Sequence, residues 1–199
     1  MLDDCLAVIL AGGDSRRMGC DKSGVQLGGE TLLQRVAATL QTLFPQTLLS
    51  VRQARPDIAL PQICDRHVDS GPLAGIAAAL EYAQQRGVSW IFAVATDMPF
   101  VQPGVIERLA SQRDGVAAVV PRVAGHPQPL AAFYSLRALA AVQAQLAGEG
   151  KRSLRAVLER LPVAYVDEAE LLAADPGLHS FFDLDTPQDL AAASLLMRQ

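Results

Sequence analysis

The stretch Cys5–Lys22, CLAVILAGGDSRRMGCDK, restricts the fold more than any other part of the chain. From Cys5 to Leu10 the residues are apolar without a break. That is the pattern of a strand buried on both faces of a parallel sheet. At Ala11, Gly12 and Gly13 the pattern stops. Adjacent glycines at the end of a buried strand let the backbone turn sharply and come close to a ligand, since no Cβ intervenes. Arg16, Arg17 and Lys22 follow around Gly19, so the ligand that suits this turn is an anion, most simply a phosphate chain. A tight turn with a solvated basic loop would account for the glycines alone.

Beyond this loop, strand patterns alternate with helix patterns, which predicts an α/β fold with a mainly parallel sheet. Thr31 to Leu43 puts Leu32, Leu33, Val36, Ala37, Leu40 and Leu43 on one helical stripe. Strands are predicted at Thr47 to Val51, Gln62 to Cys64, Ser89 to Ala95, Val116 to Val120, Pro129 to Tyr134, Val163 to Val166 and Phe181 to Leu184. Gly71 and Pro72 open a helix that Gly87 is placed to stop. Further helices are predicted at Pro103 to Leu109, at Ser135 to Leu146, after a Ser153 cap, and after Thr186 with Pro187 in first position. In open sheets of this kind ligands gather beyond the carboxyl ends of the strands. The glycine loop, Asp65 with the GPLAG turn, Asp97, and the Asp183 to Asp185 region are all expected at that rim.

Composition narrows the function. With 199 residues, half of them hydrophobic, the chain can bury a substantial core, and length favours one domain over residues 1–199. Net charge is −4, which does not suggest the basic face a nucleic-acid binder needs. Acids at Asp3 and Asp4 stand where a signal peptide carries lysines, and no apolar run approaches a membrane span. Cys5, Cys20 and Cys64 are unclustered, which fits neither a disulfide framework nor a structural zinc site. A reducing cytoplasm is the expected setting, with no membrane partner.

Two familiar phosphate loops are excluded. The pattern GxxxxGK[ST] needs lysine directly after its second glycine, but Cys20 and Asp21 separate Gly19 from Lys22. The fingerprint GxGxxG is absent as well. What remains, L-A-G-G-x-S-x-R-M-G-x-D-K, resembles the signature of nucleotidyltransferases that activate small molecules, and most closely the molybdenum cofactor guanylyltransferase family. The likeness continues through G-P-L-A-G at Gly71 to Gly75, T-D-M-P at Thr96 to Pro99 and F-D-L-D-T-P at Phe182 to Pro187. It implies a Rossmann-like nucleotidyltransferase fold, three layers α/β/α in one domain, with GTP and molybdopterin as substrates and Mg²⁺ as cofactor. It also implies transient contacts with other proteins of molybdenum cofactor biosynthesis. Leu10 to Gly13 reads L-A-G-G, where cytidylyltransferase relatives tend to read L-A-A-G, so guanine is the expected base.

Site roles follow from the residues and the resemblance together. Asp97 ends the most apolar strand, where a carboxylate is well placed for Mg²⁺, although an aspartate there also suits a turn before Pro99. Lys22 offers a compact charge and Arg17 a planar fork for phosphate oxygens. The resemblance puts Leu10, Ala11, Gly12, Gly13, Lys22, Asp65, Gly71, Pro72 and Asp97 at the nucleotide, with Arg17, Lys22 and Asp97 catalytic. Asp183 and Asp185 replace two asparagines of the family pattern; they are candidates for metal or acceptor binding, or they simply order the turn into the last helix. Lys151 and Arg152 precede a helix start and could hold the acceptor's phosphate, or they form a solvated basic turn. Where the family often carries asparagine near the nucleoside, this chain has Ser50, Val51 and Arg52, so that contact does not transfer. His67, His126 and His179 share no metal-like spacing.

An acceptor phosphate monoester has a second pKa of about 6 and is already ionised at neutral pH, so no general base is required. No Ser-His-Asp or Cys-His pattern points to a covalent intermediate. The expected reaction is direct transfer of GMP from GTP to the phosphate of molybdopterin with release of pyrophosphate. The alternatives are a cytidylyltransferase for the same pterin, a guanylyltransferase for another phosphorylated acceptor, and a non-catalytic nucleotide-binding carrier of the cofactor.

Overall fold

The computed structural model describes residues 1–11, 24–65, 71–148 and 152–198. Its centre is β1 (Cys5–Leu10), every residue of which is buried. β1 pairs in parallel with β4 (Thr47–Val51) on one side and β6 (Trp90–Ala95) on the other. β5 (Gln62–Cys64) extends the sheet in parallel beyond β4. Beyond β6 lies β9 (Ala131–Ser135), then β7 (Ala118–Val123) and β10 (Val163–Asp167), giving the order β10-β7-β9-β6-β1-β4-β5. β9 runs antiparallel to both of its neighbours. Its connection to β7 is too short for a crossover, since parallel partners need a dozen or more connecting residues. Ala124 and Gly125, at φ 48° and 76°, instead turn the chain into β8 (His126–Pro127), which pairs with β7.

Alternate residues of β1 serve the two faces of the sheet. Cys5, Ala7 and Ile9 point to the face covered by α1 (Leu32–Gln41) and α3 (Pro103–Ala110), where Val36, Leu40, Ile106 and Leu109 pack with Phe44, Phe92 and Phe133. Leu6, Val8 and Leu10 point to the face covered by α2 (Gly71–Gln85) and α4 (Leu139–Ala147), among Ile76, Leu80, Val142 and Tyr134. This is the three-layer α/β/α arrangement the family resemblance implies, with the mostly parallel sheet the alternation predicts. The Thr31 to Leu43 stripe forms α1 as expected, closed at its start by a capping box between Thr31 and Gln34. Gly87 follows α2 with φ 68°, the left-handed conformation that suits a residue just past a helix end.

A smaller apolar cluster ties the chain's last third to the segment after the glycine loop. Val25, Leu27 and Leu32 pack with Leu184 and Ala193, the last on α7 (Pro187–Leu196). Leu27 belongs to a short hairpin of β2 (Gln26–Leu27) and β3 (Glu30–Thr31) that the sequence pattern did not signal. The start of α7 is as expected, with Thr186 as N-cap, Pro187 in the first turn and a capping box completed by Asp189.

Three expectations change. Phe181 to Leu184 is not a strand: a 3₁₀ turn covers His179–Phe181, and Phe182 leaves it in extended conformation without joining the sheet. Ser153 is the N-cap of α5 (Leu154–Leu158) but makes no side-chain capping hydrogen bond. A short helix, α6 (Glu168–Leu171), follows β10 where none was predicted. Among the described residues, no helix is long and apolar enough to cross a membrane.

Candidate active site

The carboxyl ends of β1, β4, β5 and β6 form one rim, stitched together by backbone hydrogen bonds. The Ala11 N–H donates to the Ser50 carbonyl at 3.0 Å. Thr96, buried directly after β6, gives both its N–H (3.3 Å) and its hydroxyl (3.1 Å) to the Leu10 carbonyl. Leu10 and Ala11, where the glycine loop leaves the sheet, are therefore fixed against both neighbouring strands. The loop returns to the core at Val25, whose carbonyl accepts from the Leu32 N–H at 2.9 Å. Gly12, Gly13, Arg17 and Lys22 lie outside the described residues; the chain before them is pinned at this rim, and the chain after them is fixed to the start of α1.

The helix α2 approaches the same rim unusually closely. A Cβ on Gly75 would stand 2.7 Å from Ser50 Oγ and 2.8 Å from Leu10 Cδ2. The last glycine of GPLAG is thus a packing requirement, letting the helix lie on the ends of β1 and β4. Gly71, with φ 56°, sets the backbone turn that Pro72 follows into the helix. Ser50, buried beneath α2, is held in this contact, and Arg52 is exposed.

Asp97 follows Thr96 at the end of β6. Its carbonyl accepts the Leu184 N–H at 2.9 Å. Leu184 is fully buried, whereas Asp183 is exposed and Asp185 half-buried. In an extended segment successive side chains point to opposite sides. Anchoring Leu184 in the apolar cluster therefore turns its two acidic neighbours the other way, and both line a cleft of about 290 Å³ with Asp97. The remaining walls are Met98, Gln128, Pro129 and Leu130. Magnesium takes one or two carboxylates and completes its shell with water and phosphate oxygens. The hard oxygens of Asp97, Asp183 and Asp185 fit that requirement; among the described residues there is no group of three or more ligating side chains that would make an all-protein metal cage.

Asp65 lies apart from this cleft. Its N–H continues the ladder at the end of β5, donating to the Val51 carbonyl at 3.1 Å. Three strand intervals separate β5 from β6, roughly 14 Å at the usual spacing. Asp65 and Asp97 therefore cannot share one phosphate, but the two ends of a nucleotide can reach both. Arg152 precedes the α5 cap and does not line the Asp97 cleft; α5 packs into the core on the α2 and α4 face. Lys151 lies outside the described residues. Gln128 was not singled out by sequence, and Thr96, Gly75 and Leu184 entered only as members of the T-D-M-P, G-P-L-A-G and F-D-L-D-T-P motifs, without a role. Their roles come from partners distant in the chain: Leu10 for Thr96, Ser50 and Leu10 for Gly75, and Asp97 for Leu184.

Known structures share this fold. The crystal structure of molybdopterin-guanine dinucleotide biosynthesis protein A from Archaeoglobus fulgidus superposes with a TM-score of 0.84 at 32% identity, over 97% of this chain and 98% of that one. The 2-C-methyl-D-erythritol 4-phosphate cytidylyltransferase of Thermus thermophilus, at 22% identity, shares the fold with a TM-score of 0.64 over 97% and 98% of the two chains. Fold and rim together define an enzyme of the nucleotidyltransferase class. Residues 7–166 match the MobA-like NTP transferase domain. The molybdenum cofactor guanylyltransferase of Rhizobium leguminosarum bv. trifolii is 33% identical over 189 residues, 94% of this chain and 90% of that protein. The probable molybdenum cofactor guanylyltransferase of Opitutus terrae is 41% identical over 153 residues, 74% of each. The chain belongs to the molybdenum cofactor guanylyltransferase family.

Proposed function

We propose that residues 1–199 act as one unit that transfers GMP from Mg²⁺-bound GTP to the phosphate of molybdopterin, releasing pyrophosphate and forming molybdopterin guanine dinucleotide. The observation that carries this reading is the hydrogen bond from Leu184 to Asp97, which brings three aspartates to one cleft at the end of β6, the neighbour of the strand that leads into the glycine loop. Whole-length likeness to molybdenum cofactor guanylyltransferases supports the choice of nucleotide and acceptor.

In this reading Leu10, Ala11, Gly12 and Gly13 present backbone to the nucleotide, and Arg17 and Lys22 neutralise its phosphates. Asp65, with Gly71 and Pro72, meets the nucleoside end, as its separation from Asp97 suits. Asp97 holds Mg²⁺, with Asp183 or Asp185 as a second carboxylate or as a contact to the acceptor. When bound, the metal supplies charge neutralisation and alignment for in-line displacement at the α-phosphorus. Lys151 and Arg152 come last in this scheme, as a contact to the acceptor. The acceptor phosphate needs no base, being ionised already, so the work of these side chains is to bring two anions together and stabilise the departing charge.

The test is pyrophosphate release by the purified protein given Mg²⁺, molybdopterin and, separately, GTP, CTP or ATP. Turnover with GTP is expected. Preference for CTP would overturn the guanine assignment, and GTP binding without pyrophosphate release would make the protein a carrier.

A further inference from the structure

Among the described residues that line it, the cleft beside Asp97 has more carboxylate side chains than side-chain donors. Three of its walls are carboxylates, and Met98, Pro129 and Leu130 have no side-chain N–H. Among the described residues lining it, the side-chain amide belongs to Gln128. A phosphate monoester entering such a cleft carries a charge of about −1.5 to −2 at neutral pH. Carboxylates repel it, so cations or N–H donors must oppose them.

Gln128 is built in firmly at its backbone and loosely at its side chain. Its N–H donates to the Pro121 carbonyl at 2.8 Å, and its carbonyl accepts from the Ala131 N–H at 3.3 Å. The Leu130 carbonyl accepts from the Ala95 N–H at 2.9 Å, locking the same segment to the end of β6. The position of residue 128 relative to Asp97 is therefore set by the sheet. By contrast the half-buried side chain gives its Nε2 to the His126 carbonyl at 3.5 Å. That lies beyond the 2.7–3.2 Å of a good N–H···O bond, so a ligand oxygen can replace it at little cost.

Strand order then assigns the side from which that ligand comes. β6, which bears Asp97, lies between β1, which leads into the glycine loop, and β9, which Gln128 precedes. A triphosphate held over β1 would face Gln128 across Asp97.

We infer that Gln128 is an acceptor-binding residue: its amide N–H donates to a non-reacting oxygen of the acceptor's phosphate monoester and holds it on the β9 side of Asp97. This rests on the guanylyl-transfer reading given above. The amide makes no covalent bond and moves no proton.

Steady-state kinetics with Mg²⁺, GTP and molybdopterin on the wild type, Q128A and Q128E test it. A lost hydrogen bond to a charged group corresponds to roughly a 10- to 100-fold effect, expected in the molybdopterin KM of Q128A with the GTP KM and the melting temperature nearly unchanged. Q128E keeps the shape and an acceptor oxygen but loses the N–H donor and adds a negative charge, so it should be impaired more than Q128A. An unchanged molybdopterin KM, an equal rise in both KM values, or Q128E matching the wild type would overturn the proposal. If Q128A melts early, the isosteric Q128E decides alone. A wild type inactive with GTP and molybdopterin would instead bring down the functional reading and this contact with it, whereas an active wild type with insensitive variants sinks the contact alone.

Discussion

Leu184 and Asp97, 87 positions apart, are joined by a backbone hydrogen bond of 2.9 Å, and with it the carboxyl end of the chain becomes a wall of the cleft at the end of β6. Asp183 and Asp185 line the same cleft as Asp97, on either side of the buried Leu184. A core contact and an acidic site are thus two faces of one extended segment.

Truncating that anchor should damage stability and site together. Leu184→Ala is expected to cost about 2–5 kcal/mol, the usual range for a fully buried leucine. Urea unfolding gives the stability loss, and pyrophosphate release at a temperature where the variant stays folded gives the effect on the site. Activity equal to wild type in the folded variant would show that the Asp183 to Asp185 segment does not need this anchor.

Asp97→Asn keeps size and shape while removing the charge proposed to hold Mg²⁺. Loss of roughly 100- to 1000-fold in kcat is expected, on the scale of removing one electrostatic stabiliser from a site, with little change in melting temperature because Asp97 is only half-buried. Near-normal Mg²⁺-dependent turnover would refute its role.

Gly75→Ala places a methyl group 2.7 Å from Ser50 Oγ and 2.8 Å from Leu10 Cδ2, both in well-buried residues. Overpacking of this kind costs about 1–3 kcal/mol. The hydroxyl is one of the two clashing atoms, so adding Ser50→Ala should recover part of the loss in thermal melts. No recovery in the double variant would place the strain at Leu10.

Burial pushes the Cys5 thiol up from its ordinary value of 9.0 to about 12, with Asp4 adding to the rise and Arg113 opposing it. In the unfolded chain the thiol ionises near pH 9, whereas in the fold it stays protonated. The unfolded state then binds fewer protons, and stability falls as pH rises from about 9 towards 12, by at most about 1.4 kcal/mol per unit. Cys5→Ala should flatten this part of the stability curve relative to wild type. Identical slopes in the two proteins would rule the effect out. Below pH 9 the buried Cys5 should resist alkylation that the exposed Cys64 accepts.

The Phe181 to Leu184 segment shows how far a pattern reading reaches. Its alternation correctly separates buried Leu184 from exposed Asp183, and Phe182 is extended. Alternation reports which side a residue faces, not which chain its N–H will meet, and here that partner is the Asp97 carbonyl rather than a strand. Gln128 was missed for the same reason. Nothing in HPQPL distinguishes it until β9 is laid beside β6.

Local chemistry in the sequence determined the buried strands, the helix stripes, the capped start of α7 and the turn that Gly71 makes, because periodicity, caps and backbone freedom act over a few neighbouring residues. The same short-range logic marked Asp97 as a strand-end carboxylate. Tertiary structure alone decided that β9 would insert antiparallel between β6 and β7, that Asp65 would stand three strand intervals from Asp97, and that Asp183, Asp185 and Gln128 would share a cleft with it. These depend on strand order and on hydrogen bonds between residues far apart in the chain, which packing of the whole sheet selects and no local pattern encodes.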